Sequence, residues 1–272
     1  MLTKEQTWQK LIEKNIVQGT MPPEGWDLSG KDLSRSDLND ADLRGVNLRS
    51  ANLSGTQLVG AYLSQANLSG SNLIGANMVG TVLLIVSLEG ADLTGANLSN
   101  AELGQANLSS SNLNRANLSG AYLIEANLSG AKLRGATLFK AELSAANLKK
   151  TDMREADLTE ACFSGADFSE SSLNGANLSG SDLFGANLSR ADLSKSNLSG
   201  TNLSETNLSG SIMQGAILKG ADLQEANLME AYQLTLEQLS EVETLYDAQL
   251  PHELQEKIAN VYPHLFKDPE DH

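Results

Sequence analysis

The chain has 272 residues, of which 40% are hydrophobic and 4% aromatic, with a single cysteine. This composition argues against a disulfide-stapled secreted domain, a core built on aromatic side chains and an intrinsically disordered chain. The formal net charge of −15, from 19 Lys and Arg against 34 Asp and Glu, argues against direct nucleic-acid binding through phosphates.

The first predicted element is an N-terminal helix over residues 3–16, within a helical cap that comprises residues 1–25. Thr3 and Gln6 fit a capping box. The apolar residues of the segment share one helix face: Trp8, Leu11, Ile12 and Ile16. Helix-breaking residues follow it: Pro22, Pro23 and Gly25.

A five-residue repeat occupies residues 26–231. Of the 41 positions taken at every fifth residue from Leu28 to Leu228, 36 are Leu, three are Met and two are Phe. A small residue, mostly Ala, Ser or Thr, lies two positions before all of these except the first two, which follow Trp26 and Lys31, and Asn or Asp usually lies between. A period of five gives a single buried face on neither an α-helix nor a continuous strand. We therefore expect three extended residues that send the small residue and the Leu inward, followed by a turn with positive φ at Gly.

The outward polar positions indicate four repeats per coil. Tyr62, Val82, Tyr122 and Cys162 are non-polar exceptions at these positions, and they are separated by multiples of four repeats. The column that they define has one Asn in ten positions, whereas the column one repeat further on has eight in eleven. This difference predicts a coil with four distinct sides.

The tandem repeats resemble the pentapeptide-repeat proteins, a family with many cyanobacterial members. Ala91-Asp92-Leu93 and Ala126-Asn127-Leu128 carry the motif, which continues over about three quarters of the chain. The resemblance implies an all-β solenoid, a right-handed quadrilateral β-helix with four repeats per coil. The 41 repeats would then form about ten coils, with α-helical caps at both ends, because each coil contacts only its neighbours.

Residues 232–272 are predicted to form a C-terminal helical cap with an acidic tail. A capping-box pattern predicts a short helix over residues 235–243. Ala248-Gln249-Leu250 repeats the small, polar, Leu pattern two residues out of phase, which predicts one more coil side. Pro251 favours the start of a further amphipathic helix, predicted to end near residue 265. We interpret the segment as a lid over the hydrophobic end of the solenoid, with a partner-binding tail as the alternative.

The repeat region shows no catalytic or metal-binding pattern. The three His lie in the C-terminal segment: His252, His264 and His272. Cys162 has no His in the repeat region to activate it, so we interpret it as an incidental surface thiol. Outward carboxylates such as those of Asp42 and Glu102 lie on a flat, solvated face, which perturbs pKa values too little for catalysis. We therefore expect no enzymatic activity, no cofactor and no metal.

The sequence also suggests a compartment. Residues 1–10 are charged and lack the apolar core of a signal peptide. The dense apolar run from Val82 to Val86 is too short to cross a bilayer. We therefore expect a cytoplasmic protein without a membrane span.

The family resemblance implies one possible function, that of a DNA mimic that interacts with gyrase. Some bacterial pentapeptide-repeat proteins protect DNA gyrase by presenting an acidic surface that imitates duplex DNA. Residues 26–231 carry a net charge of −8 and residues 232–272 one of −7, whereas DNA of similar length would carry roughly thirty charges. Cations such as Lys140, Lys150 and Arg154 further interrupt an acidic stripe.

The preferred hypothesis is a non-catalytic protein-interaction or scaffold module, which binds an unidentified protein or a second copy of the chain. With four repeats per coil, large apolar residues gather on one outward side: Tyr62, Val82, Leu84, Tyr122, Ile124 and Phe184. Others fall on the preceding side: Val59, Val79 and Phe139. Such clustering is typical of a contact patch. A face that merely tolerates apolar residues explains the same pattern equally well.

Overall fold

The structure is a computed structural model that describes residues 1–21 and 25–268. The chain forms two compact units, Met1–Thr137 and Leu138–His272. The helices are α1 (Lys4–Glu13), α2 (Leu236–Ser240), α3 (His252–Val261) and a 3-10 helix (Pro263–Phe266). The remaining regular structure consists of isolated parallel β-bridges rather than longer strands, within the part of the chain that the structure describes.

In the first unit, the five-residue repeats wind into coils of four repeats each. Each outward central residue forms a parallel bridge with the equivalent residue four repeats later, from Asp27 with Asn47 to Asn117 with Thr137. The Asn47 amide donates to the carbonyl of Trp26 at 2.9 Å, and the Leu28 amide donates to the carbonyl of Asn47 at 2.7 Å. The backbone of each coil is therefore bonded to the next coil.

The corners explain the frequent Asn-Leu-Ser-Gly sequence. At the first corner, the Lys31 amide donates to the Leu28 carbonyl at 3.1 Å, and Gly30 has a φ of 63°. A positive φ is accessible to Gly without steric cost. The Oδ1 atom of Asp27 accepts a hydrogen bond of 3.0 Å from the amide of Ser29, two residues on. Asn and Asp suit the outward position because their side chains bond the turn in this way.

The interior contains the residues that the repeat predicts. Leu28 and the equivalent Leu, Met and Phe side chains have at most 1% of their surface exposed. Each buried Leu contributes about 1.5–3 kcal/mol relative to exposure. In the second unit, Phe163 and Phe168 replace two consecutive Leu residues, and their rings pack edge to face with centroids 5.0 Å apart.

Helix α1 packs against the first coil. Thr3 and Gln6 form the predicted capping box. Trp8 is buried, and its ring lies 5.0 Å from that of Trp26. The helix ends at Glu13 rather than at residue 16, because Asn15 adopts a φ of 55°. The predicted helix breakers Pro22 and Pro23 lie outside the described residues.

The α1 contact also buries Asp42, contrary to the prediction of a solvated outward carboxylate. The Asp42 amide donates to Thr7 Oγ1 at 3.0 Å, and the Leu2 amide donates to the Asp40 carbonyl at 2.8 Å. Arg44 pairs with the Asp42 carboxylate through Nε and Nη2, at 2.9 and 2.7 Å. The hydrogen bond from Arg44 holds the pKa of Asp42 below its ordinary value, against the opposing effect of burial.

The second unit repeats the four-repeat register, from Glu142 with Cys162 to Ile212 with Tyr232. Beyond residue 231 the spacing between bridged residues is two residues longer than four repeats, as the bridge between Asn227 and Gln249 shows. This bridge confirms the predicted out-of-phase coil side.

The C-terminal helices of the second unit are shorter than predicted. Helix α2 covers Leu236–Ser240 rather than residues 235–243. Helix α3 ends at Val261 and is followed by a separate 3-10 turn, rather than running to residue 265. Pro263 disfavours a helical conformation at the residue before it, which explains this end. Ile258 and Leu265 are buried.

Candidate functional site

In the first unit, three of the predicted patch residues lie in one ladder of outward side chains. Tyr62 bridges Val82, Val82 bridges Glu102, and Glu102 bridges Tyr122. Tyr62 and Val82 are half-buried neighbours, whereas Tyr122 is 56% exposed. The structure therefore places an acidic residue, Glu102, between the two apolar parts of the predicted patch.

Leu84 and Ile124 flank a shallow groove at the corner that follows this ladder. The Ile85 amide donates to the Gly104 carbonyl at 3.0 Å, and the Gln105 amide donates to the Ile124 carbonyl at 2.9 Å, so the three corners are stacked. The groove is lined by two residues from each corner: Leu84, Ile85, Gly104, Gln105, Ile124 and Glu125.

The groove exists because residue 104 has no side chain. A Cβ atom at Gly104 would lie 3.3 Å from Leu84 Cδ2 and 4.0 Å from the Ile124 carbonyl oxygen. Leu84 is 40% exposed and Ile124 44%, so both present aliphatic surface beside the gap.

Ile85 belongs to the same surface, although the sequence analysis did not select it. It is 55% exposed and has a φ of 57°, at a corner position where the repeat commonly has Gly. A β-branched residue at positive φ is strained. The signal was present in the sequence as a β-branched residue in the slot that requires positive φ. We define the groove face as Tyr62, Val82, Leu84, Ile85, Tyr122 and Ile124.

Phe184 belongs to the second unit, where it is exposed and its amide donates to Asp182 Oδ1 at 3.0 Å. Its membership of the contact surface stays a prediction. On the preceding side, Val59 and Val79 lie in the first unit and Phe139 in the second.

A further apolar group in the second unit was also missed. Ile212 and Tyr232 are bridged neighbours, and both are exposed. Ile217 is exposed at the next outward position. The signal was again an apolar residue in a slot that is usually Asn or Asp.

The structure gives Cys162 polar neighbours. Its Sγ lies 3.3 Å from Ser144 Oγ and 3.9 Å from Asp182 Oδ2. Within residues 1–21 and 25–268, no three His, Cys, Asp or Glu side chains form a group that could hold a metal ion. His252 and His264 lie in α3 and the 3-10 helix, whereas His272 lies outside the described residues. None of the helices in the described ranges is both long enough and apolar enough to cross a membrane.

In each unit, stacked five-residue repeats form a solenoid. The model of the family described as pentapeptide repeats matches the chain in eight copies, which together cover residues 27–231. The chain belongs to the pentapeptide-repeat family, whose members fold as right-handed quadrilateral β-helices.

Solved structures of other members resemble the chain. HetL, involved in the regulation of heterocyst differentiation in the cyanobacterium Nostoc sp., is 33% identical, with 81% of this chain and 90% of HetL covered and a TM-score of 0.40. Rfr23, from the cyanobacterium Cyanothece, is 36% identical over 37% of this chain and 58% of its own, with a TM-score of 0.20. QnrB1, a plasmid-mediated fluoroquinolone resistance protein, is 16% identical over 82% of this chain and 92% of its own, with a TM-score of 0.55, a likeness in fold alone. A search among curated proteins found no match.

Proposed function

We propose that the protein is a non-catalytic interaction module and that its partner, another protein or a second copy, docks on the groove face of the first unit. The observation that carries this proposal is the exposure of Leu84, Ile85 and Ile124 around the gap at Gly104. Large apolar side chains that cluster around a concave surface are typical of contact sites.

The fold itself does not require these aliphatic side chains. The corner residues bond to the next coil through backbone atoms, which any side chain leaves in place. Ser64 occupies the equivalent corner position one coil before Leu84. Strain at an exposed residue such as Ile85 is typical of functional sites, where it is retained for reasons other than stability.

We infer that α1 caps the first coil of the first unit and that α2 caps coils of the second unit. The Asp42 amide has no earlier coil to bond, and Thr7 of α1 accepts its hydrogen bond instead. In the second unit, Gln238 Nε2 donates to the carbonyls of Met213 and Ala216, both at 2.8 Å. Such caps satisfy backbone groups and cover apolar surface that terminal repeats would otherwise expose.

The alternative, a DNA mimic that interacts with gyrase, has weaker support. In the second unit, cations pair with the carboxylates of neighbouring coils, as Lys140 does with Glu160 at 3.2 Å and Lys150 with Glu170 at 3.4 Å. This pairing breaks up the continuous negative charge that imitation of DNA needs. A supercoiling assay with purified gyrase tests the alternative. Inhibition or protection at modest protein excess would establish it, and neither effect at high excess would remove it.

Neutral truncation of the groove tests the preferred function. The double variant Leu84→Ser and Ile124→Ser removes the aliphatic surface, and Ile74→Ser is the matched control because Ile74 is equally exposed on another side of the same unit. Affinity capture from the native cell and sedimentation of the purified protein measure partner binding and self-association. We expect the double variant to lose a partner or an association that the wild type and control retain. Identical capture and identical mass for all three proteins would contradict the proposal.

A further inference from the structure

Two carboxylates lie beside the groove face. This side of the first unit begins with segment 39–45, which holds the Asp42–Arg44 ion pair. The four segments stacked after it contain the groove face: 59–65, 79–85, 99–105 and 119–125. Their charged residues are Glu102 and Glu125. Both are exposed, and Glu125 borders the groove. Across the described residues, neither forms an ion pair, and Glu125 Oε2 accepts a hydrogen bond of 2.8 Å from the side-chain amide of Gln105.

In the second unit, a Lys at the equivalent position of the adjacent coil neutralises such carboxylates. Glu102 and Glu125 have no Lys at the equivalent positions described below. Lys140 and Lys150 each pair with the Glu at the equivalent position of the next coil. For Glu102, the equivalent positions of the previous and next coils are Val82 and Tyr122, which are apolar or aromatic. For Glu125, the equivalent position of the previous coil is the neutral Gln105.

A partner that covers the groove must also cover these two carboxylates. Glu102 lies between Val82 and Tyr122 in the ladder, so contact with both removes water from it. Desolvation of an ion without a counter-charge is strongly unfavourable, whereas a close charge pair across an interface gives affinity and specificity. A stable complex on this face therefore requires a cation from the partner.

A second copy does not supply that cation from the same face. A two-fold contact places the same patch of both copies together. Glu102 and Glu125 of both copies would then lie in one interface, and the Arg on this side of the first unit, Arg44, is already paired with Asp42. Charge complementarity therefore favours a different protein.

We infer that the partner of the groove face is a protein segment that presents aliphatic side chains next to Lys or Arg. This inference rests on the proposed function. The aliphatic side chains fill the gap at Gly104 between Leu84 and Ile124, and the cations pair with Glu102 and Glu125.

Selection of short random peptides, displayed on phage, against the full-length protein tests the partner chemistry. Counter-selection uses the variant with Leu84→Ser and Ile124→Ser. An enriched peptide is then synthesised, and its affinity is measured for the wild type, for Glu102→Gln, for Glu125→Gln and for the control Glu89→Gln. Glu89 is an exposed carboxylate elsewhere on the first unit.

We expect the enriched peptides to combine Leu, Ile or Val with Lys or Arg. Glu102→Gln and Glu125→Gln should each weaken binding by about three- to ten-fold at low salt, with a smaller loss at high salt, whereas Glu89→Gln should not. Groove-dependent peptides without cations would overturn the inference and leave the proposed function standing. Enrichment that is the same on wild type and counter-selection variant would overturn both.

Discussion

Ser71 and Ser111 occupy the same interior column of the first unit, and they differ in one hydrogen bond. Ser111 Oγ donates to the Leu108 carbonyl at 2.6 Å. Ser71 Oγ is buried and has no partner among the described atoms. Burying an unpaired hydroxyl is unfavourable, and Ala already occupies 25 of the 41 equivalent positions. Ser71 is therefore a residue at which the interior is not optimal.

We expect Ser71→Ala to raise the free energy of unfolding by about 1 kcal/mol, because it removes a desolvated hydroxyl without changing the packing. Urea denaturation followed by circular dichroism measures the change. Ser111→Ala is the matched control and should be neutral or destabilising by up to about 1 kcal/mol, since it removes a satisfied donor. Equal destabilisation by both substitutions would contradict the argument.

Ile85 combines a β-branched side chain with a φ of 57°. A left-handed conformation costs a non-glycine residue roughly 1–2 kcal/mol, and substitution by Gly removes this cost. Part of the gain is lost, because Gly makes the unfolded chain more flexible. We therefore expect Ile85→Gly to raise the free energy of unfolding by about 1 kcal/mol. The same variant should bind the partner of the groove face more weakly, so stability and binding change in opposite directions.

The reverse substitution serves as the control for Ile85. Gly95 has a φ of 64° and open space beside it, so Gly95→Ile should lower the free energy of unfolding by about 1 kcal/mol through the backbone alone. Thermal melting of both variants measures the pair. A loss of stability in Ile85→Gly would show that its side chain makes a stabilising contact.

At the level of elements, α1 packs beside a titratable carboxylate, that of Asp42, which the charge of Lys4 in α1 also attracts. The Arg44 hydrogen bond lowers the pKa of Asp42, so the carboxylate contributes stability above its unfolded pKa of about 3.9. That contribution is lost as the pH falls through the lower folded pKa. We expect the packing of α1 on the first coil to loosen in acid, below about pH 4.

Tryptophan fluorescence reports this contact, because Trp8 and Trp26 are the two tryptophans of the chain and their rings are 5.0 Å apart. The variant Arg44→Gln removes the interaction that lowers the pKa. Its fluorescence should differ from that of the wild type at neutral pH, and the difference should shrink in acid. A difference that is unchanged at low pH would show that the ion pair does not hold α1 in place.

The regular elements were predictable, and the departures from them were not. The five-residue pattern places Leu inside, because one phase alone buries every Leu, and the columns of outward residues indicate the four-repeat register. The burial of Asp42 could not be predicted, since it depends on how α1 meets the coil. The groove depends on Gly104 lying between two aliphatic residues of other coils, a tertiary arrangement, although the strain at Ile85 was readable from its slot.

In the repeats, the inward residues determine the interior, whereas the outward residues determine the surface. Most repeats share the small, polar, Leu pattern, so most of them can exchange places with little change to the interior. The outward residues differ from repeat to repeat, and the four-repeat register alone decides which of them share a side. The repeat pattern therefore determines stability. The number of repeats between two outward residues determines whether they lie on the same side of the coil.

Duplication of a single repeat tests this separation. A second copy of residues 106–110 inserted after Ser110 shifts Tyr122 and Ile124 by one side relative to Leu84, because each coil contains four repeats. We expect circular dichroism and melting to change little, whereas binding to the groove face is lost. Duplication of residues 46–50 after Ser50 is the control, since it moves Leu84 and Ile124 together and keeps the groove intact. Binding that survives the first insertion, or is lost in both, would show that the groove is not the contact surface.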